Sequence, residues 1–500
     1  MVTAAAHVPE FQQHAGVPDA RVCEQARLSR DARFDGLFFT AVTSTGIYCR
    51  PVCPAPAPKA VNVIYFAHAA AAEAAGFRPC LRCRPELSPA DGAWRRGDAV
   101  LARALGLIDA GALDDAPAAT LAGRVGLSER QLRRVFVERL GATPHGVHGT
   151  RRLLFAKQLL TDTALPVTQV ALASGFNSLR RFNDAFAQAY RMAPRELRRR
   201  RVAVGDDGLH LRLGYRPPYD FAALLGFLRL RALPGVDAVG DAHYARAIVL
   251  RDGSVGAMRV TQAMDANALM LELRNVPADE LMPVVQRVRR MFDLDADPRT
   301  INSLLAGDPL LAACVERDPG LRVPGGWDGF EVAVRAVLGQ QVSAAAARTL
   351  ASRLVQRFGR AFDVPVGDGL THAFPTAMRL VDADLTDIGV TRMRAGTIRN
   401  VACALLEARV HLDIDQTLDA FVAQWTALPG IGAWTAHYIA MRALNHPDAF
   451  CADDLILRRV AGMGGPPVSA RALTLRARAW RPWRAYAVIH LWHASSKATT

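Results

Sequence analysis

No run of about 18 consecutive apolar residues occurs in this 500-residue chain, and a helix needs roughly that length to cross a bilayer, so no membrane span is expected. Residues 1–14 hold no charged region followed by an apolar stretch, and no secretory leader is expected. Cysteine is scarce at eight residues, and Cys23, Cys314, Cys403 and Cys451 stand singly, too scattered for a disulfide framework. A reducing, cytoplasmic setting follows as the expectation. Acidic residues are also short, 47 against 61 Lys and Arg, and the net charge of +14 points to a polyanionic partner, most often nucleic acid. Arginine greatly outnumbers lysine, a bias that GC-rich coding also produces, so charge alone is weak evidence. What remains is a folded composition, 51% hydrophobic, with a length that calls for three or four domains.

The other four cysteines are paired, Cys49-x3-Cys53 and Cys80-x2-Cys83. Two close pairs separated by a segment give tetrahedral thiolate ligation of zinc, and spacing alone favours a structural knuckle without reactivity. Their flanks are more specific. Thr45-Gly46-Ile47-Tyr48-Cys49-Arg50-Pro51 and Gly76-Phe77-Arg78-Pro79-Cys80-Leu81-Arg82-Cys83 resemble the N-terminal domain of the Ada family, over roughly residues 20 to 90. The resemblance implies one Zn2+ held by all four cysteines, with Cys49 accepting a methyl group irreversibly from a methylphosphotriester in DNA. Methylation would remove one negative charge. A site less repelled by phosphate should then hold DNA more tightly, so repair and switching can be one event.

From Trp94 to Arg201 the pattern is helical and contains two similar units. In the first, Leu121 to Val125 forms a helix, Gly126 the corner, and Ser128 with Gln131 a capping box before a helix that turns Leu132 and Phe136 inward. In the second, Val167, Val170 and Ala171 lead to Gly175, Asn177 or Ser178 caps, and Phe182, Phe186 and Tyr190 form the apolar stripe. Helix, glycine turn and capped helix make a helix-turn-helix, whose second helix enters the major groove. Two in tandem resemble the AraC family. Arg130 and Arg133, and Arg180 and Arg181, stand near the starts of the recognition helices, where they would contact DNA bases or phosphates or lie on solvated faces. Arg195 and the run 198–201 close the unit as a phosphate contact or a solvated linker.

From Gly208 the period changes to two, with Leu209, Leu211 and Leu213 against His210 and Arg212, and Leu269, Leu271 and Leu273 against Met270, Glu272 and Arg274. A mixed α+β unit to about Pro283 is expected, followed by helices. Leu428-Pro429-Gly430-Ile431-Gly432 forms a tight hairpin between helices, whose glycines Gly430 and Gly432 let backbone N–H groups approach DNA phosphate. About twenty residues on comes Cys451-Ala452-Asp453-Asp454-Leu455. Hairpin and aspartate together resemble the helix-hairpin-helix DNA glycosylases. Tyr215-Arg216-Pro217-Pro218-Tyr219-Asp220, Ala336-Val337-Leu338-Gly339-Gln340 and Trp480-Arg481-Pro482-Trp483-Arg484 narrow the likeness to the AlkA-type 3-methyladenine glycosylases, over about residues 208 to 495.

That resemblance makes Asp454 the catalytic carboxylate and leaves Asp453 a structural role, capping the following helix. Trp434, Tyr438 and Trp492 match the aromatic base pocket, with ordinary core packing the plain alternative. Some superfamily members carry a lysine at the place of Trp434 and cut the strand, so base excision without lyase activity is expected. Gln341 stands where AlkA proteins carry a leucine wedge, and Leu455 where a tyrosine is common.

The whole reads as a multidomain, mainly α protein with α+β parts: a zinc methyl-acceptor domain (1–92), a double helix-turn-helix (93–204), an α+β subdomain (205–285) and a helix-hairpin-helix glycosylase core (286–500). No Pro-Cys-His-Arg motif occurs, so the methylguanine methyltransferase domain of longer Ada proteins is not expected here. Implied partners are alkylated and promoter double-stranded DNA and RNA polymerase. Two rivals stay open: a regulator with a non-catalytic glycosylase module, and a repair enzyme without transcriptional activity.

Overall fold

The computed structural model describes residues 12–13, 17–90, 98–199, 208–413 and 416–497. Residues 1–11, Trp94, Arg200 and Arg201, on which some expectations fell, lie outside the described residues. The chain forms two compact units, Met1–Asp207 with Leu211–Arg216, and Gly208–His210 with Pro217–Thr500.

The first unit opens with a mixed sheet of β1 (Gln12–Gln13), β2 (Phe39–Val42), β3 (Ile47–Cys49), β4 (Val63–Phe66) and β5 (Arg78–Pro79), in the order β1-β4-β2-β3-β5. Strand β2 is buried throughout because both faces are covered. Phe39, Ala41, Tyr48 and Phe66 pack with Ala69, Ala71 and Ala72 of the helix Ala69–Ala74, while Phe38, Val63 and Tyr65 pack with Cys23 and Ala26 of the helix Ala20–Ser29.

Helices follow, among them the two expected pairs, Ala118–Arg124 with Glu129–Leu140 and Val167–Ala173 with Leu179–Tyr190. Gly126 and Gly175 turn the corners at φ +78° and +75°, backbone that glycine adopts without strain. Ser128 and Gln131 form the expected reciprocal cap, and of the two candidates in the second pair Ser178 is the cap. Leu132, Phe136 and Leu140, and Phe182, Phe186 and Tyr190, are buried on one face of each recognition helix. The helix Pro144–Asp162 joins the two pairs, and its Leu154 packs against the cluster containing Tyr48.

Strand β6 (Leu209–Gly214) lies at the junction of the units along the chain, and β7 (Asp237–Val239), β8 (His243–Val249), β9 (Val255–Gln262) and β10 (Ala268–Arg274) pair antiparallel in succession. The period-two reading holds: Leu269, Leu271 and Leu273 are buried and Glu272 and Arg274 point outward. The division placed at 285 falls inside the helix Leu281–Met291. Beyond it the unit is mainly helical, with a short antiparallel strand pair at Arg360–Ala361 and His372–Ala373, and Gly329–Leu338 and Ala433–Ala443 pack centrally with Val334, Leu338, Ile439 and Ala440 buried. Among the described residues no helix is long and apolar enough to cross a membrane.

Candidate functional site

Strand β3 delivers Cys49, the turn after it Cys53, and the turn after β5 Cys80 and Cys83. The four sulfurs lie within 4.8 Å of one another. Tetrahedral zinc with Zn–S bonds of about 2.3 Å sets its sulfurs about 3.8 Å apart, so this cluster fits the ion. Cys80 and Cys83 are buried, while Cys49 and Cys53 are partly exposed. The N–H groups of Arg82 and Cys83 donate to Cys80 Sγ at 3.4 and 3.5 Å, that of Arg50 to Cys83 Sγ at 3.3 Å, and that of Ala55 to Cys53. Among the described residues no such bond is recorded to Cys49. Thiol-to-thiol hydrogen bonds in this crowded set push the Cys49 thiol up and hold Cys53 at about 7, a division of protons that a divalent cation would abolish. The Arg50 guanidinium pairs with Asp35 and donates to Cys83 O at 3.0 Å, fixing the loop around the site.

The cluster is tied to the helix Pro144–Asp162. Tyr48, beside Cys49, donates its hydroxyl to Glu73 at 2.8 Å, and the Thr150 hydroxyl donates to the other Glu73 oxygen at 2.5 Å. Lys157 and Glu86 pair at 2.5 Å with both side chains only 1% exposed, and Arg84 bridges Glu86 and Asp162. The expected DNA-contacting arginines, Arg130, Arg133, Arg180 and Arg181, all stand exposed on the recognition helices. Arg180 approaches Asp184 only to 3.9 Å, an exposed pair that restrains it little. Arg198 is not a free linker charge, since it donates to Ala164 O at 3.1 Å.

In the second unit the structure gathers Asp454, Trp434, Tyr438 and Trp492. Asp454 caps the helix Leu455–Ala461, its Oδ1 accepting from Ile456 N at 2.9 Å and Leu457 N at 3.1 Å. The same oxygen accepts from Trp492 Nε1 at 3.3 Å, and Oδ2 from Trp434 Nε1 at 3.1 Å. This corrects the assignment of Asp453 as the cap: Asp454 has the extended backbone from which a side chain reaches the first free N–H groups, and Asp453 is exposed. Trp434 stacks on Tyr438 with ring centres 5.2 Å apart and planes 10° apart, and Trp492 tilts against Tyr438 at 6.3 Å. Cys451, three residues before Asp454, is buried and pushed up by burial and then by the Asp454 charge, which removes it as a nucleophile.

Sequence reading missed Arg442, which donates to the Tyr438 hydroxyl at 2.9 Å and is itself held by the carbonyls of Pro324 and Gly325. Burial raises the Tyr438 phenol, but the charges of Arg442, Arg231 and Arg335 outweigh it and hold the group below its ordinary value. The i, i+4 spacing of Tyr438 and Arg442 was the available signal.

The hairpin links the helices Leu418–Thr426 and Ala433–Ala443. Gly430 has φ +89°, and a Cβ there would stand 1.9 Å from Thr397 Oγ1, so glycine is required. Gly432 caps the second helix without a side chain and is exposed, leaving the helix N-terminus open. Gln341 is exposed at φ +55° between the helices Gly329–Leu338 and Ala344–Phe358.

Four family models match the chain: the metal binding domain of Ada at residues 22–86, a helix-turn-helix domain at 121–200, the AlkA N-terminal domain at 210–328, and the HhH-GPD superfamily base excision DNA repair protein at 334–484. A probable bifunctional transcriptional activator/DNA repair enzyme AlkA from Mycobacterium tuberculosis is 42% identical over 483 residues, 95% of this chain and 96% of its own length. DNA-3-methyladenine glycosylase 2 of Escherichia coli is 37% identical over 292 residues, 56% of this chain and 96% of that protein. The bifunctional transcriptional activator/DNA repair enzyme Ada of Escherichia coli is 40% identical over 122 residues, 24% of this chain and 32% of that protein. Among solved structures, a 3-methyladenine DNA glycosylase from Archaeoglobus fulgidus matches 57% of this chain and 98% of its own, with a TM-score of 0.50 and 26% identity.

Proposed function

The chain belongs to the family of the bifunctional transcriptional activator/DNA repair enzyme AlkA, and from that premise we propose that it excises alkylated purines such as 3-methyladenine, accepts methyl from DNA methylphosphotriesters on Cys49, and regulates transcription through the methylated form. The observation that carries the first activity is Asp454, held by four N–H donors beside the aromatic ladder of Trp434, Tyr438 and Trp492. A purine alkylated on a ring nitrogen is already cationic and leaves without further protonation. As the glycosidic bond breaks, its electron pair goes to the base and positive charge develops on the sugar. The Asp454 carboxylate, fixed before the reaction, stabilises that charge and orients the water that adds to the anomeric carbon. The indole faces favour a cationic base. The side chain at 434 has no amine to form a Schiff base, so the product is an intact abasic strand and the glycosylase is monofunctional.

For methyl transfer, Cys49, Cys53, Cys80 and Cys83 would hold one Zn2+, which keeps thiolates deprotonated at neutral pH. Three of the sulfurs have charge drawn off by backbone N–H groups, whereas Cys49 is partly exposed and keeps its own. Its sulfur attacks the methyl carbon, the C–O bond breaks, and the phosphate leaves as the ordinary diester anion. Loss of negative charge at Cys49 would let this surface approach DNA, with Arg130, Arg133, Arg180 and Arg181 supplying groove and phosphate contacts and RNA polymerase as the further partner.

One experiment tests both activities: methylated duplex DNA is incubated with the protein, and released bases and methyl on protein are measured in the same tube. Free 3-methyladenine and label on Cys49, lost in Cys49→Ser, are expected. Label without released base would leave a regulator with a non-catalytic module. Released base without tighter promoter binding after methylation would leave a repair enzyme alone.

A further inference from the structure

We propose that Gln340 is a positioning residue that locks the wedge loop to the base pocket and so sets where Gln341 stands when a base leaves the duplex, an inference that rests on the glycosylase reading. Gln341 has a left-handed backbone that costs a non-glycine residue energy, and it and Val342 are exposed, so nothing in their own side chains holds the tip. The ties run through the preceding residue. Gln340 Nε2 donates to Gly430 O at 3.0 Å and to Thr435 Oγ1 at 3.1 Å, while the main-chain carbonyl of Gln340 accepts from the Arg394 guanidinium.

These three partners come from different parts of the site. Gly430 is the turn of the hairpin, Thr435 follows Trp434 on the pocket helix, and Arg394 lies on the helix Arg392–Leu406, whose Thr397 sits beneath Gly430. One amide therefore joins the wedge loop, the phosphate-facing hairpin and the helix carrying Trp434 and Tyr438. Base extrusion needs the wedge to fill the duplex as the pocket takes the base, and an error of about 1 Å between two such groups costs on the order of a hundredfold.

The test is single-turnover release of an alkylated purine from duplex DNA, with the lesion either correctly paired or mispaired. Gln340→Ala is expected to slow release from the paired lesion by on the order of ten- to a hundredfold, and much less from the mispaired lesion, whose extrusion is already cheap. Arg394→Ala should follow the same pattern, and Arg394→Lys, which keeps a donor for the Gln340 carbonyl, should recover most of the rate. Equal losses on the two substrates, or no loss in either variant, would overturn the positioning role. If the wild-type protein released neither lesion, the glycosylase reading itself would fall, and the latch with it.

Discussion

Two neighbouring aspartates with the same chemistry have different surroundings, and this separates their roles. Asp454 is partly buried and accepts four hydrogen bonds, whereas Asp453 is exposed. Asp454→Asn removes the charge proposed to stabilise the sugar cation while preserving size, so release of 3-methyladenine should fall by about a hundredfold or more. Asp453→Asn should leave both rate and melting temperature near wild type. Comparable loss in the two variants would break the assignment. A second buried carboxylate predicts a pH effect. Burial pushes Asp293 up to about 7 from 3.8, against the opposing charge of Arg322. The folded state then holds a proton that the unfolded state has released, so this residue's contribution to stability is full below about pH 4 and is lost as pH rises through 7. Chemical denaturation from pH 4 to 7 should show wild type losing stability relative to Asp293→Asn across that window. Parallel curves would refute the assignment.

At the scale of elements, the two glycines of the hairpin are not equivalent. Gly430→Ala meets Thr397 Oγ1 and must hold a left-handed φ, whose backbone term alone costs about 1–2 kcal/mol. Gly432 has a negative φ and nothing within 4 Å of its Cβ position. Gly430→Ala should therefore lower the melting temperature and weaken DNA binding, while Gly432→Ala should fold normally; thermal melting of the two variants side by side decides it. The recognition helices show the complementary case, where local chemistry suffices. Ser128 with Gln131, Gly126, and the buried stripe of Leu132 and Phe136 each depend on residues within a few positions, and all formed as their order in the chain indicated.

At the scale of the whole molecule, the zinc cluster is built into the first unit's core. Tyr48 beside Cys49 reaches Thr150 through Glu73, and Lys157 pairs with Glu86 out of water, where removing one partner is costly. Because thiolate ligation contributes folding energy directly, a chelator should loosen the helix Pro144–Asp162 together with strand β3. Hydrogen exchange with and without chelator measures this. Faster exchange confined to residues 47–83 would contradict a shared core.

The chain by itself determined the features set by near neighbours: the two cysteine pairs, the tandem helix-turn-helix and the Pro-Gly-x-Gly hairpin. Even there one local choice went the other way, since the cap of the helix Leu455–Ala461 is Asp454 and not Asp453. Only the tertiary structure placed Gln340 against Gly430, 90 residues on, Arg394 against Gln340, and Glu73 between Tyr48 and Thr150. A single glutamine or glutamate carries no periodicity and no motif. Its partner is chosen by which unsatisfied polar group the fold brings within hydrogen-bonding reach once water is excluded, and that exists only after the chain has packed.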